Sequence, residues 1–221
     1  MRICVIIPAF NEAGNLYKIM PELKRYNFEI LVVDDGSSDN TAKVAQEYGA
    51  KVIRNKKNCG KGASLRIGFN YAFENNFDAV ITMDADGQHL PQEVINFIRC
   101  AENSDAVIFV GNRLSNPFSM PFLRKLTNIF MSRLLSVLAR QDIADSQCGF
   151  RLIKSKLLKE LNLKTAHYET ESEILLEARR LGYKIESVPI KCMYQKQKSH
   201  INAFIDTLRF VKFIIKYYLN F

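Results

Sequence analysis

The feature that most constrains this chain is a repeated alternation. Short apolar runs rich in valine and isoleucine, at residues 3–7, 29–33, 51–54, 79–83 and 106–110, are separated by segments of helical spacing at 15–26, 41–48, 61–75 and 91–101. That pattern predicts βαβ units, and so an α/β fold with a mostly parallel central sheet flanked by helices. At 221 residues and 48% hydrophobic content the chain can build one sizeable core, which excludes a disordered protein.

After Gly111 the period changes. A helix is predicted over 122–139, then the loop DIADSQCGFR at 142–151, a further helical stretch at 155–161, and a strand at 184–190. Between them, Thr170 as cap with Glu173 three residues later reads as a capping box, and Gly182 as the end of that helix. Glu169, Glu171 and Glu173 are read as favourable charges at its N-terminus. In the last segment, 201–221, Asp206, Arg209, Lys212 and Lys216 fall at steps of three and four, so they line one face of an amphipathic helix.

Lysine and arginine number 31 against 23 aspartates and glutamates, a net charge of +8 that favours an anionic partner. Nucleotides, phosphorylated substrates and anionic lipid surfaces qualify. Nucleic acid is excluded as a partner, because the sequence has no zinc-finger spacing, RNA-binding aromatic signature or isolated basic block. The five cysteines are scattered with no CxxC pair, which fits a reduced cytoplasmic setting. The opening MRICVIIPAF reads as a strand and not as a signal peptide, and no charge-free stretch approaches the roughly 18 residues of a membrane span.

Chemistry gathers where the strands end. Asn11, Asp34, Asp35, Asp84 and Asp86 all fall just past a predicted strand, the place where open α/β sheets bind ligands. In MDADGQH, residues 83–89, an extended backbone would point Asp84, Asp86 and Gln88 the same way and offer hard oxygen ligands to Mg2+ or Mn2+. A plain polar turn is the alternative, since aspartate and glycine are common turn formers. In VVDDGSSDNT, residues 32–41, one carboxylate suits a nucleotide base or ribose, while Ser38 or Asp39 suits the cap of the helix at Thr41. NCGKGASLRIG, residues 58–68, offers Lys61 near a helix start for phosphate or base contact, without the spacing of a P-loop. His89 and His167 have no cluster around them that would make a zinc site.

Taken in order, VIIPAFNE (5–12), VVDDGSSDNT, NCGKGASLRIG, MDADGQHLP (83–91), GNR (111–113) and DSQCGFR (145–151) resemble the family 2 glycosyltransferases. The dolichol- and polyprenyl-phosphate sugar synthases are the nearest type. The resemblance implies a GT-A, Rossmann-like fold, a nucleotide-diphosphate sugar donor, a divalent cation and inversion at the anomeric carbon. By matching positions, it places Pro8, Phe10, Glu12 and Asp34 or Asp35 in the nucleotide pocket, and Asp84, Asp86 and Gln88 on the metal. Arg113 and Arg124 fall on the acceptor phosphate, a role suited to arginine's planar fork. The sequence departs from the family at Asn128, where a serine can occur, and at Ser199-His200, where serine-lysine is common.

On this resemblance the chain divides into a catalytic domain at 1–200, with a nucleotide-sugar and metal half at 1–112 and an acceptor half at 113–200, followed by the amphipathic helix at 201–221. The expected reaction moves a hexose, mannose or glucose, from a GDP- or UDP-sugar to polyprenyl or dolichyl phosphate at the inner face of the cell membrane. The basic, aromatic helix at 201–221 is the expected membrane contact. Its packing on the domain or on a second subunit in a homo-oligomer is the alternative. If the acceptor is instead a hydroxyl of a glycan, a base is needed and Asp145 is the candidate. An inactive nucleotide-sugar-binding scaffold is a third reading, and the intact Asp84, Asp86 and Gln88 argue against it.

Overall fold

The valine- and isoleucine-rich runs form the strands of one sheet in the computed structural model, which describes residues 1–115, 120–194 and 203–219. The strands are β1 (Ile3–Ala9), β2 (Glu29–Asp34), β3 (Lys51–Arg54), β4 (Ala79–Thr82), β5 (Ile108–Asn112), β6 (Arg151–Lys154) and β7 (Ile185–Pro189). They lie in the order β3-β2-β1-β4-β6-β5-β7. Val5, Ile6 and Ile7 of β1, Leu31, Val32 and Val33 of β2, and Val80 and Ile81 of β4 are all 0% exposed. Their sequences do not alternate because both faces of the sheet are covered.

The helices are α1 (Ala13–Lys24), α2 (Thr41–Glu47), α3 (Lys61–Glu74), α4 (Val94–Glu102), α5 (Phe122–Ala139), α6 (Ser155–Leu158), α7 (Glu169–Arg180) and α8 (Ala203–Leu219). Each core-facing stripe follows from helical spacing; α1, for example, buries Leu16, Ile19, Met20 and Leu23. Asp39 accepts from the Thr41 backbone N–H at 2.9 Å just ahead of α2, but the N-cap position is Asn40, whose side chain makes no cap bond, and not Ser38 or Asp39 as expected.

Strand β1 pairs in parallel with β2 on one side and β4 on the other. The chain therefore reverses its direction of travel across the sheet at β1 and β4, and the crevice between their carboxyl ends is the switch point where ligands bind. The carboxyl ends of β1, β2, β4 and β5 share that edge. Strand β6 is antiparallel to both β4 and β5, so the segment that precedes it, 145–150, reaches the same edge.

That antiparallel strand differs from the sequence expectation, which ran a loop through Arg151 and straight into a helix. RLIK is short, carries two cations and has a single β-branched residue, so it lacks the apolar run of the other strands. Arg151 is nonetheless 1% exposed. Its guanidinium donates to the carbonyls of Cys148 (2.8 Å), Ser146 (2.8 Å) and Glu171 (2.6 Å), pinning the 145–150 segment to the start of α7. The capping box is also absent. Thr170 lies buried inside α7, and the Glu173 carboxylate accepts from the Lys164 and Thr165 backbone N–H groups at 2.9 and 3.0 Å, facing the preceding loop.

The C-terminal helix forms and packs on the domain. Phe210 and Phe213 are buried, with Ile214 and Tyr217 against the core, while Val211, Ile215 and Leu219 remain exposed. Among the described residues no helix is long and apolar enough to cross a membrane. Lys196, Lys198, Ser199 and His200 lie outside the described residues.

Arg151→Met keeps volume and removes all three donations. It is expected to destabilise the protein by on the order of 3 kcal/mol, read as a lower urea midpoint at unchanged slope.

Candidate active site

Strand β4 ends at Thr82, and residues 84–88 form a turn, with Gly87 in the left-handed region at φ +71°. The extended backbone expected to align Asp84, Asp86 and Gln88 is therefore not what brings them together; the polar turn is. Within it Gln88 donates from its backbone N–H to Asp86 Oδ1 at 3.0 Å and from its side-chain amide to Asp86 Oδ2 at 2.7 Å. The amide oxygen of Gln88 accepts from Arg124 Nη1 at 3.2 Å. Gln88 thus bridges a carboxylate and an arginine. His89 is 3% exposed, accepts from the Asp84 N–H at 3.3 Å and stacks on Phe150. Burial pushes its pKa down to about 4, so it is neutral at pH 7.

Lys61, the first residue of α3, sends its ammonium between two carboxylates. It forms an ion pair with Asp84 and another with Glu171 at 2.8 Å. Burial disfavours the charge on Lys61, but Asp84 and Glu171 outweigh it and hold the ammonium protonated. Burial likewise opposes ionisation of Asp84, and Lys61 together with His89 and Arg113 keeps its carboxyl well below the usual range. Asp86 behaves differently. Burial and the charge of Asp84 raise its pKa to about 6, and among the described residues no basic side chain forms an ion pair with it.

The loops that follow β1 and β2 are stitched to one another. The backbone N–H of Asn11, itself left-handed at φ 56°, donates to Ser37 Oγ at 2.9 Å, and Ser38 N–H donates back to Asn11 Oδ1 at 2.8 Å. Glu12 N–H donates to Thr41 Oγ1 at 2.8 Å. Pro8 lies near the end of β1, with Phe10 and Glu12 half-buried just beyond. Asp34 and Asp35 are buried and bound by protein donors. Asp34 accepts from Ser37 N–H at 2.9 Å and pairs with Arg54 at 3.1 Å. Asp35 accepts from Asn55, Cys59 N–H and Gly60 N–H at 2.7 to 2.9 Å. In this arrangement the two carboxylates shape the loops around the crevice.

Across the site Arg113 and Asp145 form a buried bidentate pair. Arg113 Nε and Nη2 donate to Asp145 Oδ2 and Oδ1 at 2.7 and 2.9 Å, with the two residues 6% and 0% exposed. Arg113 N–H and Gln147 N–H also donate to Asp145, at 3.1 and 3.3 Å. Four donors occupy the roughly four lone-pair sites of the carboxylate. Asp145 accordingly orients Arg113 and has no free oxygen with which to take a proton, which corrects its reading as a base. With its side-chain amide turned over, the orientation that satisfies both of its ends, Asn128, buried on α5, accepts from Arg113 Nη2 at 3.1 Å and donates to the Arg124 carbonyl at 3.3 Å. Arg124 itself is half-buried and lies over the Tyr194 ring at 5.5 Å.

Residues 4–161 match the model of glycosyl transferase family 2. The chain belongs to this family. The family 2 chain is 34% identical over 215 residues to the UDP-N-acetylglucosamine:dolichyl-phosphate N-acetylglucosaminyltransferase of Methanococcus voltae, covering 87% of this chain and 86% of that protein. It is 33% identical over 195 residues to the dolichol-phosphate mannosyltransferase of Pyrococcus furiosus, covering 81% of this chain and 53% of that protein. Among solved structures it resembles the glucosyl-3-phosphoglycerate synthase of Mycobacterium tuberculosis, crystallised with Mn2+, UDP and glucosyl-3-phosphoglycerate. The TM-score is 0.70 at 19% identity, covering 93% of this chain and 74% of that one. The protein is therefore a GT-A glycosyltransferase by family and fold.

Two residues of this glycosyltransferase site escape sequence reasoning. Glu171, read as a helix-terminus charge, is the second partner of Lys61. Gly149 is the other: a Cβ built there would lie 2.6 Å from both Asp84 oxygens and 2.8 Å from Lys61 Nζ. Gly149→Ala must displace that ion pair, and is expected to lower kcat/KM about 100-fold with the fold retained, checked by steady-state kinetics beside circular dichroism. Asp145→Asn is expected to cost about 3–5 kcal/mol in urea unfolding, because it strands a buried guanidinium. Unchanged stability with lost turnover would restore the base role.

Proposed function

We propose that this family 2 enzyme transfers a hexose, mannose or glucose, from a GDP- or UDP-sugar to polyprenyl or dolichyl phosphate, with Mg2+ or Mn2+ held at Asp86. The observation that carries the reading is the Gln88 bridge, which sets an acidic and a cationic group on opposite sides of one side chain. The Methanococcus voltae and Pyrococcus furiosus relatives, both named for dolichyl phosphate acceptors, support the acceptor class. The first of them makes N-acetylglucosamine the alternative sugar.

The donor set fits a divalent cation. Two carboxylates, Asp84 and Glu171, flank the single ammonium of Lys61, and Asp86, two residues beyond Asp84 and without an ion-pair partner among the described residues, has a raised pKa. Among the described residues no three His, Cys, Asp or Glu side chains form a closed cage. Mg2+ and Mn2+ need none, since one or two carboxylates suffice when diphosphate and water supply the remaining ligands. Asp86 is the first ligand in this reading and Asp84 the second, with Gln88 holding Asp86 in place. When bound, the cation offsets charge developing on the leaving diphosphate.

On the acceptor side Arg124 offers its fork to the lipid phosphate, and the Arg113–Asp145 pair, through Asn128, fixes the turn of α5 that carries it. A phosphate oxygen is already ionised at neutral pH. It attacks the anomeric carbon, the bond to the diphosphate breaks, the centre inverts, and no proton has to be removed. A hydroxyl acceptor would need a base, and Asp145 has its oxygens filled. This favours the phosphate acceptor. The nucleotide is received between the loops that Asp34 and Asp35 shape, beside Pro8, Phe10 and Glu12. The membrane face on which the reaction runs is the cytoplasmic one.

A screen of GDP- and UDP-sugars with Mn2+ and polyprenyl phosphate, following product by mass, is expected to give a polyprenyl-phosphate sugar from one donor. Asp86→Asn is expected to lower kcat by about 1,000-fold with an unchanged circular dichroism spectrum. Undiminished turnover in that variant, or product with hydroxyl acceptors alone, overturns the reading.

A further inference from the structure

The hydroxyl of Tyr194 is buried and, among the described residues, has no hydrogen-bond partner. A phenol shut away from water without an acceptor costs stability, and such groups are rare in folded proteins. The chain path holds it there. Beyond β7 the Ile190 N–H donates to the Asn112 carbonyl at 3.2 Å, one residue before Arg113. His89 and Cys192 then form an isolated antiparallel bridge, and the Met193 N–H donates to the Gln88 carbonyl at 3.0 Å. These bonds carry the segment from the end of β5 to the acidic turn and set the Tyr194 ring 5.5 Å from the Arg124 guanidinium.

The neighbours explain why the hydroxyl is unpaired. The charges of Arg113 and Arg124 both act on it, and a guanidinium only donates. Asp145, whose charge also reaches it, has its oxygens filled by Arg113 and Gln147. Burial pushes the phenol up to about 12, so at pH 7 it keeps its proton and is a donor. Gln88 takes Arg124 Nη1, while among the described residues Nε and Nη2 of Arg124 make no hydrogen bond. A proton donor beside two cations, with the neighbouring carboxylate already filled, suits an oxygen of an anionic ligand.

We infer that the Tyr194 hydroxyl donates a hydrogen bond to the acceptor phosphate that Arg124 receives, while its ring supports Arg124. The inference rests on the proposed polyprenyl or dolichyl phosphate acceptor. Tyr194 is a binding group in this role. It removes no proton, since the attacking phosphate oxygen is already ionised, so its effect falls on KM for the acceptor and not on kcat.

The test is steady-state kinetics of the full chain with polyprenyl phosphate, Mn2+ and the nucleotide sugar found in the product screen, beside thermal melting. Tyr194→Phe keeps the ring over Arg124 and removes only the hydroxyl. It is expected to raise KM for polyprenyl phosphate about tenfold, with kcat and KM for the nucleotide sugar within about twofold of wild type. Its melting temperature is expected to equal or exceed that of wild type, because an unpaired buried hydroxyl is lost. An unchanged KM for the lipid overturns the inference. So does an equal rise in both KM values, which puts the hydroxyl on the donor side, or a lower melting temperature, which shows the hydroxyl already paired within the protein. A wild-type chain that makes product from hydroxyl acceptors and none from polyprenyl phosphate removes the acceptor reading as well, so the two failures are told apart.

Discussion

The ammonium of Lys61, closed between Asp84 and Glu171, joins three elements that are far apart in sequence: the start of α3, the end of β4 and the first turn of α7. Burying a lone charge is costly, and the cost is met only when partners are close and well placed. Here the two carboxylates win, because burial alone would drive Lys61 toward its neutral form and Asp84 toward its acid form, and both shift the other way. The packing is tight enough that Gly149 has room for no side chain at all. Asp84 is thereby fixed as an anion, and burial together with this fixed charge lifts the pKa of its neighbour Asp86. One ion cluster thus sets both the position of the acidic turn and the electrostatic demand at Asp86.

The loop DSQCGFR serves as the second support. Its Asp145 fills its oxygens holding Arg113, its Gly149 leaves space for the Lys61 pair, and its Arg151 ties Ser146, Cys148 and Glu171 together through their carbonyls. The antiparallel direction of β6 is what makes this economy available. In a parallel sheet the segment before a strand lies at the far edge; reversing β6 brings it to the carboxyl ends of β4 and β5, where the crevice is. Both buried arginines belong to this support.

The parallel half of the fold was legible in the sequence because burial on both faces demands uninterrupted apolar runs, and β1, β2 and β4 have them. Strand β6 was not, since its leading residue is an arginine whose burial depends on three carbonyls supplied by distant turns. The acidic motif was legible as a place but not as a geometry: the alternation of Asp84, Asp86 and Gln88 suggested a pleat, and Gly87 instead turns the chain. Glu171 could not be separated from Glu169 and Glu173 by spacing, because its role is set by α3, more than a hundred residues earlier. Asp145 shows the converse limit, since a carboxylate in a loop reads as free until the four donors around it are seen.

The choice of a neutral amide at position 88 follows from what stands on either side. Asp86 needs donors and Arg124 needs an acceptor, and a glutamine side chain is both at once. A carboxylate there would repel Asp86, and an ammonium would repel Arg124, so either charge would satisfy one neighbour by displacing the other. With glutamine the acidic and the cationic sides are coupled without either neutralising the other, which is what the proposed cation site at Asp86 and phosphate site at Arg124 require. Direct contact between them would have produced a closed salt bridge of the Arg113–Asp145 kind, with nothing left to offer a substrate. The separation imposed by one uncharged side chain is what keeps the two charges from cancelling, and the proposed reaction needs both.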